Sequence, residues 1–365
     1  MSTKILTQFE KIRNVSRERT SQSYSHSVCS AYAPELSLAE QYSVLASRAG
    51  LVDRSWLTKL KLVGKDSVDL LQRLSTNDLK AFASGSCLHT VLTTEKARVI
   101  DLVTLYHLSD SEIILICHAP RERVFSWIER FIIMEDVSLF DMTEAYLMLS
   151  LFGPDVEKAL QILGINQPQS RAFDSVIEVK IGGTDLVVGV AEPISASNVN
   201  ILVPVAEAKN LWKRLVDDGA RIGLQPCGID ALEIHRIESG FPVYGRELIE
   251  DVNPLEAGLE RFVSLTKGCY IGQEVIARLD TYKKLQKRLM GLLLGDDSCV
   301  VPGARVSVQE RDVGWVTSAA YSPRLDRTIA LAYVRSAWAV RNTSVDVTTE
   351  SGTHEAQVIQ LPFEV

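Results

Sequence analysis

Two spacings of apolar residues alternate along the first part of the chain. Residues 35–51 carry apolar side chains at helical spacing up to Gly50, so they predict a helix. In residues 57–64, Leu60 and Leu62 alternate with lysines, which is the pattern of a half-buried strand. The regular part of the chain is therefore expected to begin with a helix followed by a strand.

Further helices and strands follow as far as residue 239. Residues 88–106 predict a hairpin that turns near Glu95-Lys96, residues 112–118 predict a strand, and Pro120 marks the start of a helix. The later predicted elements are a strand over 147–152, a short helix after Gly153-Pro154, a hairpin over 176–190 bent at Gly182-Gly183, a strand over 199–203, a helix from Pro204 to Gly219, and a helix over 228–239. These elements lack the strict βαβ order and the Gly-rich phosphate loop of nucleotide-binding α/β proteins, so the predicted class is α+β.

The pattern changes from Leu289 onward, where only short strands and turns are predicted. The strands lie at 304–309, 313–318, 328–334 and 357–361, and a hairpin turn is expected at Ser351-Gly352. This part of the chain therefore predicts a separate small β-barrel or β-sandwich.

Composition narrows the classes of partner. The net charge of −7 gives no basic patch for nucleic acid or for an anionic membrane, so small molecules or proteins are the expected partners. The six cysteines show no C-x-x-C pair and no metal-ligand spacing, which predicts no metal site and a reducing compartment. No run is long and apolar enough for a membrane span or a signal peptide. Residues 1–33 are rich in serine and basic residues, which favours a flexible tail over a transit peptide and predicts a cytoplasmic protein, or a mitochondrial or plastid one if the tail is a transit peptide.

The segment Lys267-Gly268-Cys269-Tyr270-Ile271-Gly272-Gln273-Glu274 is the first candidate for chemistry. Its glycines allow the backbone to approach a ligand, and its polar groups could face that ligand. Lys267 could favour the thiolate of Cys269 if the two side chains converge. The alternative is an inert, buried cysteine on a turn, because free cysteine is among the most buried residue types.

Asp101 is the second candidate, because it interrupts the apolar strand Val99-Ile100-Asp101-Leu102-Val103. A buried carboxyl at this position must find hydrogen-bond partners or accept a raised pKa, as catalytic carboxyls do. The alternative is a strand end that faces water.

Charged residues on the helix over 228–239 allow two interpretations. Glu233 and Arg236 are three residues apart, on the side of Ile229, Leu232 and Ile237. They form either a buried structural bridge or an anchor for an acidic ligand. His118 and His235 lack partners at metal spacing and are interpreted as structural histidines.

Several segments resemble the glycine cleavage T-protein superfamily over residues 40–365. The matching segments are 50–55 (GLVDRS), 71–78 (LQRLSTND), Gly153-Pro154, 236–240 with 242–245, 254–259 (PLEAGL), 316–318, 322–323, 329–334 and 361–363. Within that superfamily, the K-G-C-Y-x-G-Q-E segment with Arg278 after it is similar to the YgfZ branch, which includes mitochondrial iron–sulfur assembly factors. Aminomethyltransferases of the superfamily usually carry an aspartate at the position of Cys269.

The resemblance implies a three-domain fold with two α/β sandwich domains around a central cavity and a C-terminal small β-barrel. The implied boundaries are a tail over 1–33, folate-binding domains over 34–145 and 146–286, and the barrel over 287–365. It also implies tetrahydrofolate, or a one-carbon derivative of it, in the cavity. Iron–sulfur proteins or their assembly factors are the implied partners.

Three positions depart from the T-protein pattern. Asp101 stands where those proteins have the first of two acidic residues, but the second position is Leu102. Asn200 stands in place of the glutamate that holds the pterin edge, and Pro193-Ile194-Ser195-Ala196 replaces a Tyr-Thr-Gly-Glu turn. Because the second acid is missing, one-carbon chemistry is expected to be altered or absent. An amide can accept one hydrogen bond from the pterin but cannot supply the charge-assisted pair that a carboxylate makes, so folate binding is expected to be weakened.

These observations support three hypotheses. The favoured one is a tetrahydrofolate-binding protein that supports iron–sulfur cluster assembly or repair, with Cys269 as the reactive thiol and Asp101 positioning the folate nitrogens. Its other cofactor-binding candidates are Asn200, Arg236, Lys267, Tyr270 and Gln273. The second is a folate-dependent aminomethyltransferase or demethylase, and the third is a docking protein that has lost the ligand.

Overall fold

The protein is described by a computed structural model that covers residues 36–165, 175–194, 197–282, 284–295, 299–350 and 352–364. The predicted tail over 1–33, two residues of the 193–196 turn, and Ser351 of the predicted hairpin turn lie outside these residues. The chain divides into two compact units. The larger unit comprises residues 36–232 and 260–277, and the smaller comprises 233–259 and 278–364.

The elements are numbered in chain order over the described residues. The helices are α1 (Leu38–Ser47), α2 (Ser67–Leu74), α3 (Arg121–Glu129), α4 (Val156–Ile162), α5 (Val205–Gly219), α6 (Ile229–Ser239) and α7 (Gln273–Tyr282), with short 3₁₀ turns at Ala220–Ile222 and Glu260–Phe262. The strands are β1 (Gly50–Asp53), β2 (Thr58–Val63), β3 (Cys87–Thr93), β4 (Val99–Ser109), β5 (Glu112–Cys117), β6 (Ser138–Asp141), β7 (Tyr146–Phe152), β8 (Val176–Ile181), β9 (Thr184–Val190), β10 (Asn198–Pro204), β11 (Gln225–Pro226), β12 (Lys287–Leu294), β13 (Arg305–Val308), β14 (Arg311–Ser322), β15 (Arg327–Arg335), β16 (Ser344–Thr349) and β17 (Gly352–Ile359).

The larger unit contains two β-sheets. One has six strands in the order β11-β1-β7-β10-β9-β8, and the other has five in the order β3-β4-β5-β2-β6. Side chains from both sheets form one shared core, which includes Tyr106 and Ile116 from the five-stranded sheet and Met148 and Leu202 from the six-stranded sheet. A second core packs α4 and α5 on the six-stranded sheet. Strands with apolar residues on both faces, such as β4 and β7, are buried on both faces, as their sequences require.

The smaller unit is built on a closed barrel in the order β12-β15-β14-β13-β16-β17. Its interior is filled by small and branched apolar side chains, such as Val306, Val316, Ala332 and Val347. Closure removes exposed strand edges, so short strands of this kind can form a stable unit. The predicted α+β class and the C-terminal barrel are therefore confirmed.

The sequence prediction errs mainly where short elements meet. The first helix ends at Ser47 rather than at Gly50, because Gly50 already pairs with β7 and β11. Its start at Leu38 is fixed by a capping box between Ser37 and Glu40. The helices predicted from Pro120 and Pro204 are confirmed, with each proline at the N-cap.

Candidate functional site

Asp101 lies on β4, opposite Leu92 of β3, and its side chain is completely buried. Its Oδ2 accepts hydrogen bonds from the backbone N–H groups of His118 (2.8 Å) and Ala119 (2.9 Å). Its Oδ1 accepts one from the N–H of Leu102 (3.0 Å). The carboxyl is thus a satisfied buried group, and the alternative of a strand end facing water is wrong.

Burial raises the pKa of Asp101 from 3.8 to about 6, although the charge of His118 and the three N–H donors act in the opposite direction. A carboxyl with this pKa exchanges a proton close to neutral pH, which is the range that general acid–base chemistry needs. Asp101 can therefore both hold and release a proton without leaving its position.

A buried ion cluster extends from the same place through His118, which follows the end of β5. The His118 ring contacts a Glu192 oxygen through Nε2 at 2.8 Å. Glu192 in turn accepts two hydrogen bonds from Arg54, at 2.6 and 3.1 Å. The side chains of Arg54 and Glu192 are each only 2% exposed, and His118 is 7% exposed.

Glu192 is ionised in this cluster. Burial alone raises the pKa of its carboxyl, but the charge of Arg54 and the hydrogen bond from His118 outweigh burial and hold the pKa well below its usual range. Because a carboxylate accepts, the Nε2 of His118 carries the hydrogen and donates it to Glu192.

Asn200 lies on β10 at the centre of a buried chain of hydrogen bonds. Its Oδ1 accepts from the Ser150 hydroxyl at 2.6 Å, and its Nδ2 donates to the Tyr106 oxygen at 2.9 Å. Tyr106 donates onward to the carbonyl of Val190 at 2.8 Å. Asn200 thus ties β7, β10 and β4 together, and its predicted role as a folate ligand remains a prediction.

The loop 267–272 is held in place by Lys267. The ammonium group donates to three carbonyl oxygens, those of Gln72 (2.7 Å), Ser75 (2.8 Å) and Asn77 (2.5 Å), at and just beyond the C-terminal end of α2. The carbonyl of Gln72 lies in the last turn of α2 and that of Ser75 at its C-cap, where no further helical N–H group can reach them, so the lysine caps the C-terminal end of α2. All three N–H donors are used within the protein, so the observed role of the ammonium is structural, and its predicted role in binding the cofactor remains a prediction.

Other residues of the segment also brace this loop. The ring of Tyr270 is buried under the Lys267 ammonium at 5.0 Å, and Gln273 donates to the carbonyl of Lys267 at 3.4 Å. Gly272 has φ +85°, and a Cβ there would lie 2.7 Å from the carbonyl oxygen of Thr94. The cofactor-binding roles of Tyr270 and Gln273 therefore remain predictions, and their observed contacts are structural.

Cys269 is exposed on this braced loop. The other described cysteines differ from it, because Cys87, Cys117 and Cys227 are buried and Cys299 is only partly exposed. The alternative that Cys269 is a buried, inert residue is wrong. Its thiol is held at the surface, and the Lys267 ammonium is directed into the protein instead.

Arg236 lies in the smaller unit, where every donor of its guanidinium has a partner. It bonds Glu233 twice (both 2.7 Å), Glu247 (3.0 Å), the hydroxyl of Ser318 (2.7 Å) and the carbonyl of Phe241 (2.5 Å). Burial by itself lowers the pKa of Arg236, but the two carboxylates outweigh burial and raise it. The interpretation as a structural bridge is confirmed, since all five donors are used within the protein, and the predicted folate-binding role of Arg236 remains a prediction.

Sequence reasoning missed Arg54, Glu192 and the contacts of His118. Glu192 directly follows the apolar stretch 186–191, so the signal that drew attention to Asp101, an acid in an apolar context, was present there too. Its partner Arg54 is 138 positions away, and no local pattern joins the two.

Two absences hold for the described residues. No group of three or more histidine, cysteine, aspartate or glutamate residues among them is arranged to hold a metal ion. No helix in the described ranges is long and apolar enough to cross a membrane.

The chain is similar to known proteins over most of its length. Residues 18–267 match the GCVT N-terminal domain, and residues 287–363 match the glycine cleavage T-protein C-terminal barrel domain. The aminomethyltransferase of Symbiobacterium thermophilum is 32% identical over 336 residues, covering 90% of this chain and 89% of that protein. The aminomethyltransferase of Anoxybacillus flavithermus is 29% identical over 330 residues, or 90% of each chain. The crystal structure of glycine cleavage system aminomethyltransferase T from Bartonella henselae shares the fold, with a TM-score of 0.80, 21% identity and 90% coverage of both chains.

Proposed function

The chain belongs to the glycine cleavage T-protein family, and from that premise we propose that it binds tetrahydrofolate and supports the assembly or repair of iron–sulfur proteins. Aminomethyltransferases of this family use tetrahydrofolate. Folate binding is thus the part of the proposal that the family supports, and the iron–sulfur role is the part that this chain's own residues must carry.

The observation that carries the iron–sulfur role is the exposed thiol of Cys269. The loop around it is fixed by the three hydrogen bonds of Lys267 and by a hydrogen bond of 2.8 Å from the Thr93 hydroxyl to the carbonyl of Ile271. A thiol that is both exposed and held in place is suited to react with a partner protein or a bound ligand. One cysteine cannot hold a cluster alone, so the partner must supply the remaining ligands.

Asp101 is the proposed contact to the reacting nitrogens of the folate. The carboxyl is held by three backbone donors, so its orientation does not depend on a mobile side chain. Its neighbour Leu102 is an apolar residue that is 3% exposed, so a second carboxyl is absent from that position. A single acid with a pKa of about 6 can bind a folate nitrogen and exchange its proton.

A second candidate function is aminomethyl transfer to tetrahydrofolate. It is favoured by the retained Asp101 and by the names of the relatives, which are aminomethyltransferases. The two functions differ in whether they need Cys269. The iron–sulfur role requires its thiol, whereas aminomethyl transfer assigns no step to it.

Calorimetric titration of tetrahydrofolate under anaerobic, reducing conditions tests the shared part of both functions. The full-length protein should bind at micromolar concentration, Asp101→Ala should bind more weakly, and Cys269→Ala should bind as the parent does. Absence of binding by the parent protein would contradict both functions and leave the docking hypothesis.

A second measurement separates the two functions. In cells that lack the protein, a [4Fe–4S] dehydratase should regain activity with the parent chain and with Cys299→Ala, but not with Cys269→Ala. If Cys269→Ala restores the dehydratase fully, the iron–sulfur proposal fails. Folate-dependent aminomethyl transfer by purified protein, lost in Asp101→Asn and kept in Cys269→Ala, would instead establish the second function.

A further inference from the structure

The turn between β1 and β2 presents an aromatic side chain to solvent close to Asp101. Trp56 lies in this turn and is 37% exposed, whereas Arg54 and Leu57 in the same turn are buried. The ring of Trp56 meets the ring of His118, with 6.0 Å between their centroids and 73° between their planes. The backbone N–H of His118 in turn donates to Asp101 at 2.8 Å. A single residue therefore separates the exposed indole from the candidate carboxyl.

A buried lysine fixes the turn that carries Trp56. Lys59 lies on β2 and is completely buried, and its ammonium donates to the carbonyl oxygens of Ser55 and Leu57, both at 2.8 Å. These two residues directly flank Trp56 in the chain. Burial lowers the pKa of Lys59 to about 8, because taking a cation out of water is costly. The fold thus places a costly buried cation where it holds the backbone on both sides of the indole.

Further hydrogen bonds inside the turn act in the same way. The N–H of Leu57 donates to the carbonyl of Arg54 at 3.0 Å. The N–H and the hydroxyl of Ser55 both donate to Oδ1 of Asp53, at 2.9 and 2.6 Å. A tryptophan on a fixed backbone has only two side-chain torsions left to order when a ligand binds, so binding costs little conformational entropy. The turn is therefore suited to present a flat surface to a ligand.

The contact with His118 leaves room for such a ligand. In a T-shaped pair the edge of one ring meets the face of the other, so at least one face of the indole is free of His118. An indole face binds flat aromatic rings by offset stacking. The nitrogens of tetrahydrofolate that carry one-carbon units lie between two flat rings, the pyrimidine part of the pterin and the aminobenzoyl ring. When these nitrogens meet Asp101, a flat ring on one side of them can extend past His118 to the indole.

We propose that Trp56 stacks on one flat ring of tetrahydrofolate, and that Lys59 positions Trp56 by fixing its turn. This inference rests on the proposed function, because it needs the folate nitrogens to meet Asp101. It adds a binding residue and a positioning residue to the candidate site. Trp56 then favours a ligand whose reacting nitrogen is attached to a flat ring over a simple amine, which offers no surface for stacking.

Fluorine nuclear magnetic resonance of the full chain, labelled with 5-fluorotryptophan, tests the stacking directly. The chain has five tryptophans, and the signal of Trp56 is assigned by its loss in Trp56→Phe. Saturation with tetrahydrofolate should shift the Trp56 signal. Two fragments distinguish the rings: a shift with 6-methyltetrahydropterin assigns the pterin, and a shift with p-aminobenzoylglutamate assigns the aminobenzoyl ring.

Affinity measurements by calorimetry provide the second readout. Trp56→Leu removes the flat surface and should weaken tetrahydrofolate binding about tenfold, whereas Trp56→Phe keeps an aromatic face and should stay within about threefold of the parent. Phe140→Leu is the matched control and should bind as the parent does. Phe140 is also an exposed aromatic residue of the larger unit, but it lies on β6 at the edge of the five-stranded sheet, separated from β4 by two strands.

The role of Lys59 has its own readouts. In Lys59→Met, the Trp56 signal of the ligand-free protein should shift and broaden, because the two flanking carbonyls lose their donor. In the parent, backbone relaxation at Trp56 should match that of the neighbouring strands β1 and β2. A mobile Trp56 backbone in the parent, or an unchanged signal in the variant, overturns the positioning role.

The outcomes separate this inference from the proposed function. If the parent binds tetrahydrofolate while the Trp56 signal does not move and Trp56→Leu binds equally well, the stacking is refuted and folate binding stands. If the parent does not bind tetrahydrofolate, the proposed function fails and the stacking fails with it. If Trp56→Leu does not fold, the fluorine signal of the parent decides alone.

Discussion

The variant Asp101→Asn removes a carboxyl group whose ionisation is opposed by burial. The folded protein has a pKa of about 6 for Asp101, against 3.8 for the ordinary group. Between these values the folded protein holds a proton that the unfolded chain has already released. Asp101 therefore contributes its full stabilisation of the folded protein below pH 3.8, and this stabilisation is lost as the pH rises through the folded-state pKa of about 6.

The interval from 3.8 to about 6 corresponds to about 3 kcal/mol, at about 1.4 kcal/mol for each pH unit. Asparagine keeps the shape of the side chain but turns an NH₂ group toward one of the three backbone donors, which costs about 1–3 kcal/mol at every pH. We therefore expect Asp101→Asn to be less stable than the parent at about pH 4 and equally or more stable at about pH 8. The difference between the two unfolding free energies should change by about 2–3 kcal/mol over this range, because part of the shift has already occurred at pH 4.

Hydrogen exchange in a urea series, followed by mass spectrometry of peptides from β4 and β5, measures this difference for the larger unit alone. Asp78→Asn is the control of opposite sign, because the hydrogen bond from the backbone of Lys80 lowers the pKa of Asp78. Its parent carboxylate loses stability as the pH falls. A difference for Asp101→Asn that stays constant from about pH 4 to 8 refutes the reasoning, because it means that burial does not perturb the carboxyl.

Three further predictions concern the other polar sites. In the native protein, iodoacetamide should alkylate Cys269 before the partly exposed Cys299 and at least about tenfold faster than the buried cysteines. Peptide mass spectrometry measures these rates, and equal rates would contradict the exposure of Cys269. Lys267→Met leaves three carbonyl oxygens without their donor and should cost about 2–4 kcal/mol in chemical unfolding. It should also speed hydrogen exchange over residues 267–272, and unchanged exchange there would show that the lysine does not hold the loop. Arg236→Met leaves Glu247 buried without its cation and should lower the unfolding free energy of the smaller unit by about 3–5 kcal/mol. Its folate affinity should stay unchanged, and weaker folate binding by a folded variant would show that Arg236 binds the ligand.

Local patterns were sufficient where one segment determines its own structure. The run Val99–Ser109 predicts a buried strand, and Pro204 predicts the start of α5, because period and proline geometry act within a few residues. The local pattern extends the first helix to Gly50, and it cannot reveal that Gly50 pairs with Phe152 and Gln225, because these strand partners are distant in sequence. The same reason explains why the pair of Arg54 and Glu192 was missed.

The number of hydrogen bonds that each group can make distinguishes ligand-binding candidates from structural residues more sharply than residue type does. Lys267 and Arg236 were attractive because cations bind acidic ligands, yet their three and five N–H donors are all used inside the protein. Asp101 has two carboxyl oxygens that can accept about four hydrogen bonds and receives three, and the thiol of Cys269 is exposed. A residue can bind or react with a ligand only through hydrogen-bonding positions or a reactive atom that the rest of the protein leaves unused. By this criterion, Asp101 and Cys269 remain the strongest of the sequence candidates.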